Sequence, residues 1–315
     1  MTHSVSTSAS GAVTRLLSNL EHVLADRDEV LRAVIATFLA RGHLLLEDVP
    51  GVGKTTLAKA LAFTLGGTAG RVQFTPDLLP SDLTGVSVYR SETGEFEFHP
   101  GPLFATVVIG DEINRASPKT QSALLECMQE RQVTVDGVSH PLPDPFIVIA
   151  TQNPVEMEGT YPLPEAQRDR FMARVSLGYP SPRAELDLLG SGGFADPLTR
   201  LAEPLTTQQV RTAQQAVQEV FVAPMVVEYI LDLIRATRNI DVVELGASPR
   251  AGLQLLAMAK ARAVIDERDF VVPDDVQEVA GPVLAHRLAL RRGATQSPAT
   301  VIADILAHVS PPAPR

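Results

Sequence analysis

The sequence predicts a three-layer α/β domain with a parallel sheet, followed by a smaller all-helical domain. Up to about residue 180, apolar runs of the kind buried in parallel sheets alternate with amphipathic helical segments. From Thr206 onward only helical periodicity remains, in about four or five segments. We therefore expect a disordered lead over residues 1–11, an α/β core over 12–180, a linker over 181–205 and a helical domain over 206–315.

The core elements alternate between helices and strands along the chain. Apolar residues at helical spacing predict helices, whereas short continuous apolar runs predict buried strands. Gly66-Gly67 ends the helix that follows a glycine-rich loop. In chain order we predict a helix over residues 28–41, a strand over 43–47, a helix over 55–65, a strand over 71–74, a strand over 107–109, a helix over 120–131 and a strand over 146–150.

Two further stretches predict β-hairpins inserted into the core. Residues 86–98 alternate around Thr93-Gly94, and residues 132–141 turn at Asp136-Gly137. Glycine after Thr or Asp allows the tight turns that connect two antiparallel strands. Both hairpins could also be simple decoration at a sheet edge.

Composition and charge narrow the class of protein. The chain has 315 residues, 45% of them hydrophobic, with a single cysteine, Cys127, and a net charge of −10. No apolar run approaches a membrane span and the N-terminus lacks an apolar signal core, so we expect a cytoplasmic protein without stable membrane insertion. The acidic balance disfavours nucleic acid as a partner.

The stretch EDVPGVGKTT follows the first predicted strand and leads into a helix. Amide N–H groups at a helix start, together with the helix dipole, attract an anion. In a phosphate-binding loop of this kind the lysine reaches the β- and γ-phosphates and the following hydroxyl binds Mg²⁺. A glycine-rich surface turn is the alternative. The candidate nucleotide-binding residues are Pro50, Gly51, Val52, Gly53, Lys54, Thr55 and Thr56, with Thr55 also a candidate Mg²⁺ ligand.

One position departs from the usual phosphate-loop pattern. Asp48 stands where the pattern G-x-x-x-x-G-K-[ST] has its first glycine. A carboxylate that pointed at the phosphates would repel them, so we predict that its side chain points away.

Polar residues end two further predicted strands. Asp111 and Glu112 follow the strand at 107–109, and Asn153 follows the strand at 146–150. Asp111 could order Mg²⁺ through water, Glu112 could polarise an attacking water, and Asn153 could bond that water or the γ-phosphate. Taken alone, the acids could be a solvated turn and the asparagine a turn former.

These motifs together resemble the MoxR family of AAA+ ATPases. The resemblance covers most of residues 30–265 and is carried by HLLLEDVPGVGKTTLAKALA, RVQFTPDLLPSDLTGVSVY, GDEINRASPKTQSALLECMQERQVTVDG, ATQNPVEMEGTYPLPEAQRDRFM and GASPRAGLQLLAMAKARA. It implies ATP and Mg²⁺ bound between a P-loop AAA+ core and a small helical lid. The Val-Gly-Gln common near the first helix is missing, and Leu24-Ala25-Asp26 stands there, so no adenine contacts are assigned.

The same resemblance implies a ring, usually a hexamer, in which neighbouring subunits complete each active site. Arg170 matches the family's arginine finger, although Arg168 competes for that role, and Arg250 matches the sensor 2 arginine of the lid. Ser248 as N-cap and Pro249 in the first turn would start the helix that carries Arg250. The resemblance further implies protein substrates, a von Willebrand A-domain protein as partner, and hairpins that face the pore or one side of the ring.

Three other functions stay open at this point. A nucleic-acid motor would show ATPase stimulation by single-stranded DNA, and a subunit like that of magnesium chelatase would co-purify with a tetrapyrrole-binding protein. A nucleotide-gated scaffold would hydrolyse too slowly to work, which measured turnover would reveal. Arg287, Arg291 and Arg292 could form a partner patch, but we expect a solvated last helical turn there.

Overall fold

The computed structural model of the chain describes residues 7–49, 51–153, 161, 163–190 and 197–312. Its helices are α1 (Thr7–Val23), α2 (Asp28–Leu39), α3 (Lys54–Thr64), α4 (Pro80–Thr84), α5 (Pro118–Glu130), α6 (Glu165–Arg168), α7 (Pro182–Gly190), α8 (Thr207–Glu219), α9 (Pro224–Arg238), α10 (Pro249–Ile265), α11 (Pro273–Leu284) and α12 (Pro298–His308). Its strands are β1 (Leu44–Glu47), β2 (Ala69–Gln73), β3 (Gly85–Arg90), β4 (Glu95–Pro100), β5 (Val107–Asp111), β6 (Gln132–Val135), β7 (Val138–Pro141), β8 (Ile147–Gln152), β9 (Ala173–Val175), β10 (Val243–Leu245) and β11 (Ala289–Leu290).

The core is a five-stranded parallel sheet in the order β2-β5-β8-β1-β9. Side chains alternate between its two faces, as the period of a strand requires. Leu44 and Leu46 belong to the apolar cluster that α1, α2 and α3 cover, whereas Leu45 belongs to the cluster that α5 covers. The predicted three-layer α/β core is confirmed, because both faces of the sheet are buried.

Both predicted hairpins are present. β3 pairs with β4 and β6 pairs with β7, each antiparallel and each outside the central sheet. The stacked rings of Phe98 and His140, with centroids 3.9 Å apart, join one hairpin to the other.

The N-terminal lead differs from its prediction where the structure describes it. Helix α1 begins at Thr7, so residues 7–11 are helical rather than disordered. Ala9, Ala12 and Leu16 are buried, and these apolar contacts stabilise a segment whose Ser/Thr-rich composition disfavours order. Residues 1–6 lie outside the described residues.

The predicted linker also contains regular structure. Helix α7 occupies Pro182–Gly190 and a short 3₁₀ turn occupies Pro197–Arg200, while residues 191–196 lie outside the described residues. Over residues 206–312, which the structure describes, the helical region contains five α-helices, in agreement with the periodicity. It is not purely helical, because β10 pairs with β11 through backbone bonds that leave no mark on side-chain periodicity.

The helical region packs against the core through apolar contacts. Helix α8 packs on α1, and α10 packs on α2 and α11. One apolar cluster therefore runs from α1 through α3 to α12. None of the helices in the described ranges combines the length and apolarity that a membrane span requires.

Candidate nucleotide site

The glycine loop joins the carboxyl end of β1 to the start of α3. Gly51 and Gly53 have φ values of 85° and 99°, which side chains with a Cβ rarely adopt. A Cβ on Gly53 would also come within 2.9 Å of the Leu24 side chain. These two glycines let the loop turn so that the first N–H groups of α3 face outward, where they can bind an anion. Pro50 lies outside the described residues.

A cleft of about 350 Å³ opens above this loop at the carboxyl edge of the sheet. The cleft brings together most of the residues predicted from the strand ends and from the loop. It is lined by Gly51, Gly53, Lys54, Thr55, Thr56, Arg71, Gln73, Asp111, Glu112, Thr151 and Asn153.

Asp111 lies at the end of β5 with its carboxylate largely buried. Its Oδ2 accepts a hydrogen bond from Arg71 Nε at 2.8 Å, and Thr151 Oγ1 lies 3.5 Å from Oδ1. The carboxylate and the Thr55 hydroxyl share the cleft, and oxygen donors of this kind suit Mg²⁺.

Glu112 is held by neighbours on three sides. Its backbone has the left-handed conformation, with φ 58° and ψ 50°, which is uncommon for a residue other than glycine. Its N–H donates to Thr151 Oγ1 at 3.0 Å, and its Oε2 accepts from Gln73 Nε2 at 3.0 Å and from Arg115 at 2.9 Å. These bonds fix both the backbone and the carboxylate at the cleft.

Three residues of this site were missed by sequence reasoning. Arg71 and Gln73 face the acids because β2 pairs with β5, with Gln73 opposite Asp111 in register. Thr151 faces them because β8 is the other neighbour of β5. The only signal in the sequence is polar residues at alternate positions of a short strand, and that signal does not identify the neighbouring strand.

The Asp48 side chain points away from the cleft, as predicted. Its carboxylate accepts from Ser176 Oγ at 2.7 Å and from the amides of Leu177 and Gly178 at 2.6 and 3.0 Å. On the backbone, the Asp48 carbonyl accepts from Lys54 Nζ at 3.0 Å. The loop therefore directs the ammonium group and keeps the carboxylate apart from it.

A second cleft of about 240 Å³ adjoins the first and is more apolar. The two clefts share Gly51, Gly53 and Thr56, so they meet at the glycine loop. The walls of the second cleft come from the turn between α1 and α2, from the loop and from the segment that leads into α7. Its apolar lining residues are Val23, Leu24, Ala25, Val52, Pro180 and Ala184.

Arg170 and Arg250 lie outside both clefts of their own chain. Arg170 lies in the turn before β9, which runs parallel to β1, so it lies near the amino end of the sheet. Arg250 is exposed at the start of α10, and Ser248 caps that helix as predicted, accepting from Ala251 N at 3.1 Å.

The charge of Arg250 affects the pKa of His43, the residue that directly precedes β1. Burial is the main cause that lowers the pKa of His43 to about 4; the hydrogen bond with the Met128 carbonyl opposes this shift, and the charges of Arg131 and Arg250 contribute to it. Since the glycine loop follows the opposite end of β1, Arg250 and the loop lie at opposite ends of that strand.

The expected position of nucleotide between core and lid stays a prediction. Among the residues that the structure describes, none beyond Ala184 lines either cleft. The reason is an ion pair near the amino end of β9, where Asp169 Oδ1 accepts from Arg287 Nε at 2.8 Å and both Asp169 oxygens lie 3.2 Å from Ser248 Oγ. These bonds, together with the packing of α10 on α2, hold the helical region beside the core, away from the glycine loop.

The expectation that Arg287 is solvated is wrong. Its side chain is 2% exposed, and it donates to the carbonyls of Phe171 and Met172 at 2.6 and 3.3 Å, besides contacting Gln254 and Val283. Burial lowers the pKa of the Arg287 guanidinium to about 10, and the bond to Asp169 opposes this shift.

Comparisons with known proteins agree with this geometry. Residues 43–173 match the ATPase family associated with various cellular activities (AAA), and residues 235–308 match the AAA lid domain. The chain is 42% identical to Chaperone MoxR1 of Mycobacterium tuberculosis, covering 95% of this chain and 82% of that protein. It is 33% identical to Protein MoxR of Methylorubrum extorquens, covering 95% and 93%.

Two further similarities extend over most of the chain. It is 48% identical to the uncharacterized protein YeaC of Bacillus subtilis, covering 88% of this chain and 86% of that protein. A crystal structure of a protein from Cytophaga hutchinsonii has a TM-score of 0.89 and 37% sequence identity, covering 97% of this chain and 96% of that one. The similarity therefore includes both the α/β core and the helical region.

Proposed function

Because the chain belongs to the MoxR family of AAA+ ATPases, we propose that it hydrolyses ATP to drive the remodelling or assembly of protein partners. The observation that carries the proposal is the cleft in which Lys54, Thr55, Asp111, Glu112 and Asn153 converge.

The phosphates would bind to the amides at the start of α3. Those N–H groups have no acceptor within the helix, and the helix dipole favours negative charge at this end. Lys54 would leave the Asp48 carbonyl and reach the β- and γ-phosphates, because an ammonium group bonds an ionised oxygen more strongly than a neutral carbonyl.

Mg²⁺ would be held by Thr55 directly and by Asp111 through water, and it would neutralise charge that develops on the phosphates. Arg71 already bonds the Asp111 carboxylate, which orients that group.

Glu112 would act on the attacking water. The water oxygen forms a bond to the γ-phosphorus, the bond from that phosphorus to the bridging oxygen of ADP breaks, and the water proton passes to the Glu112 carboxylate. Asn153 would orient the water or the γ-phosphate by a hydrogen bond. The bonds from Gln73 and Arg115 keep the carboxylate at the cleft.

The adenine base would occupy the second cleft. An apolar cavity suits the faces of a planar ring, and this one adjoins the phosphate cleft at the glycine loop. Leu24, Val52 and Pro180 would contact the ring. They would supply the adenine contacts that the sequence motifs left unassigned.

Completion of the site would require a neighbouring subunit. Arg170 and Arg250 lie at the end of the chain's own sheet that is remote from its glycine loop. In a hexameric ring both could reach the γ-phosphate bound by the next subunit, where a guanidinium stabilises transition-state charge. The partners would be protein substrates and a von Willebrand A-domain protein, and the relative named Chaperone MoxR1 supports work on proteins.

ATP turnover by the assembled full chain tests the proposal. Lys54→Ala should abolish binding of Mg-ATP, because the main cationic ligand is lost. Glu112→Gln should keep binding but lower turnover by about 100-fold or more, since the amide cannot accept the proton. Glu126→Gln, an exposed carboxylate on α5, is the matched control. Normal turnover by the Glu112 variant would exclude its role.

The Glu112→Gln variant also tests the partners. Trapped with ATP, it should retain protein substrates and a von Willebrand A-domain protein in a pull-down from the native cell, whereas Lys54→Ala should not. Equal recovery by both variants would argue against ATP-dependent binding of protein.

A further inference from the structure

A buried polar network surrounds the glycine loop and has no part in the chemistry described above. Asp48 is 5% exposed and Arg27 is 8% exposed. The Asp48 carboxylate receives three donors, all from residues 176–178, at 2.6 to 3.0 Å. We call residues 176–181 the strap, since they run from β9 to the start of α7.

Arg27 connects the same two segments from the other side. Its guanidinium donates to the Val52 carbonyl in the glycine loop and to the Gly178 carbonyl in the strap, each at 3.0 Å. Burial lowers the pKa of Arg27, and the negative charge of Asp48 opposes this shift. The planar guanidinium can hold two acceptors in a fixed geometry, which a lysine cannot.

The strap has a third tether. Ser181 Oγ donates to Asp26 Oδ2 at 2.5 Å, which joins the strap to the turn between α1 and α2. The turn, the glycine loop and the strap all line the second cleft, through Leu24, Val52 and Pro180. The network thus joins the three segments that surround the proposed base site.

The backbone at position 48 does not require the missing glycine. Among residues 48, 49 and 51–53, positive φ values occur at Gly51 and Gly53. An Asp is therefore tolerated without strain, and its side chain is available to bond the strap. The buried carboxylate is compensated by its donors and by Arg27, so that little negative field remains to oppose a triphosphate.

We propose that Asp48 and Arg27 are positioning residues that hold the glycine loop and the strap in the arrangement that binds nucleotide. A loop containing two glycines loses conformational freedom when it orders around phosphate. The network orders it beforehand, so its loss should weaken nucleotide affinity and leave the chemical step unchanged. The inference rests on the proposed ATP site and identifies residues that set its affinity.

Asp48→Gly gives the sharpest test, because it restores the glycine of the general pattern. If position 48 mattered only through its backbone, this variant would bind nucleotide as well as the parent or better. If only about a tenth of the variant molecules keep the ordered arrangement, the Kd for Mg-ADP rises roughly tenfold. We would measure this Kd by isothermal titration calorimetry on the full chain, with Asp48→Asn and Arg27→Lys as conservative variants expected to weaken binding too.

Kinetics and amide exchange separate positioning from general destabilisation. KM for ATP should rise in parallel with Kd, while kcat at saturating ATP stays near that of the parent. The amides of Leu177 and Gly178 should exchange hydrogen slowly in the parent, more slowly with Mg-ADP, and quickly in Asp48→Gly. Glu47→Gln is the matched control: Glu47 is the adjacent carboxylate and pairs with Arg174 instead.

The outcomes are distinct. If the parent chain binds no Mg-ADP, the proposed function itself is refuted. A parent that binds, together with an Asp48→Gly variant of unchanged Kd, would overturn this inference alone. Loss of kcat without a change in Kd or KM would also overturn it. If Asp48→Gly fails to fold, two measurements still decide the question: the Kd of Arg27→Lys for Mg-ADP, and the amide exchange of Leu177 and Gly178 in the parent with and without Mg-ADP. The inference would be refuted if Arg27→Lys has the Kd of the parent and Mg-ADP does not slow the exchange of these amides.

Discussion

Arg287→Met should destabilise the junction between the core and the helical region. The substitution keeps an unbranched stem but removes the charge that pairs with Asp169, whose side chain is 21% exposed. Breaking a buried ion pair by removal of one partner costs about 3–5 kcal/mol. Ser248 and water still reach Asp169, and His286 still contacts the Phe171 carbonyl at 3.2 Å, so we expect the lower end, about 3 kcal/mol.

Urea unfolding of the full chain, followed by far-UV circular dichroism, would measure this loss. The double variant Asp169→Asn/Arg287→Met should lose less than the single one, because no unpaired charge is left behind. Arg292→Met, an exposed arginine nearby, should stay within about 0.5 kcal/mol of the parent. If Arg287→Met lowers the free energy of unfolding by less than about 1 kcal/mol, the assignment of Arg287 as the buried residue that joins the core to the helical region would be refuted.

Three further predictions follow from the site and the core. Arg170→Ala should bind Mg-ATP normally but lose turnover, and mixing it with Lys54→Ala should partly restore activity; normal turnover by Arg170→Ala alone would contradict action across subunits. Thr151→Val should lower kcat and cost about 1–3 kcal/mol in urea unfolding, since it leaves the Glu112 N–H without its acceptor; unchanged kcat would show that this anchor is dispensable. The folded pKa of His43 is lowered to about 4, so neutral His43 contributes its full stability above the unfolded pKa of about 6.5. As the pH falls toward 4 this contribution is lost, and the free energy of unfolding should decrease by about 2 kcal/mol at pH 5. Between pH 8 and pH 5 the free energy of unfolding should depend less on pH in His43→Gln than in the parent, and an equal slope would contradict the assignment.

Much of the site was predictable because its parts are local in sequence. The glycine loop, Lys54 and Thr55 lie within one strand-loop-helix unit, and Asp111, Glu112 and Asn153 each end an apolar strand. Parallel strands end at the same edge of a sheet, so residues distant in sequence meet there without any knowledge of side-chain contacts. The direction of the Asp48 side chain followed from charge alone.

Other residues depended on strand order and register. Arg71, Gln73 and Thr151 reach the acids only because β2 and β8 are the two neighbours of β5. Leu24 and Pro180 meet across the second cleft although they are far apart in sequence. No periodicity within a single segment carries that information, since it concerns which segments are adjacent.

The sequence by itself determined the alternation of strands and helices, the phosphate loop and the acids at the strand ends, because these features depend on local propensity and on the order of elements. Only the tertiary structure decided where the helical region packs, and with it the positions of Arg250 and Arg287. Arg287 is buried against carbonyls and a carboxylate of residues that precede it by more than 100 positions in the chain. The strength of such an interaction depends on distance and burial in space, and neither quantity exists until the chain has folded.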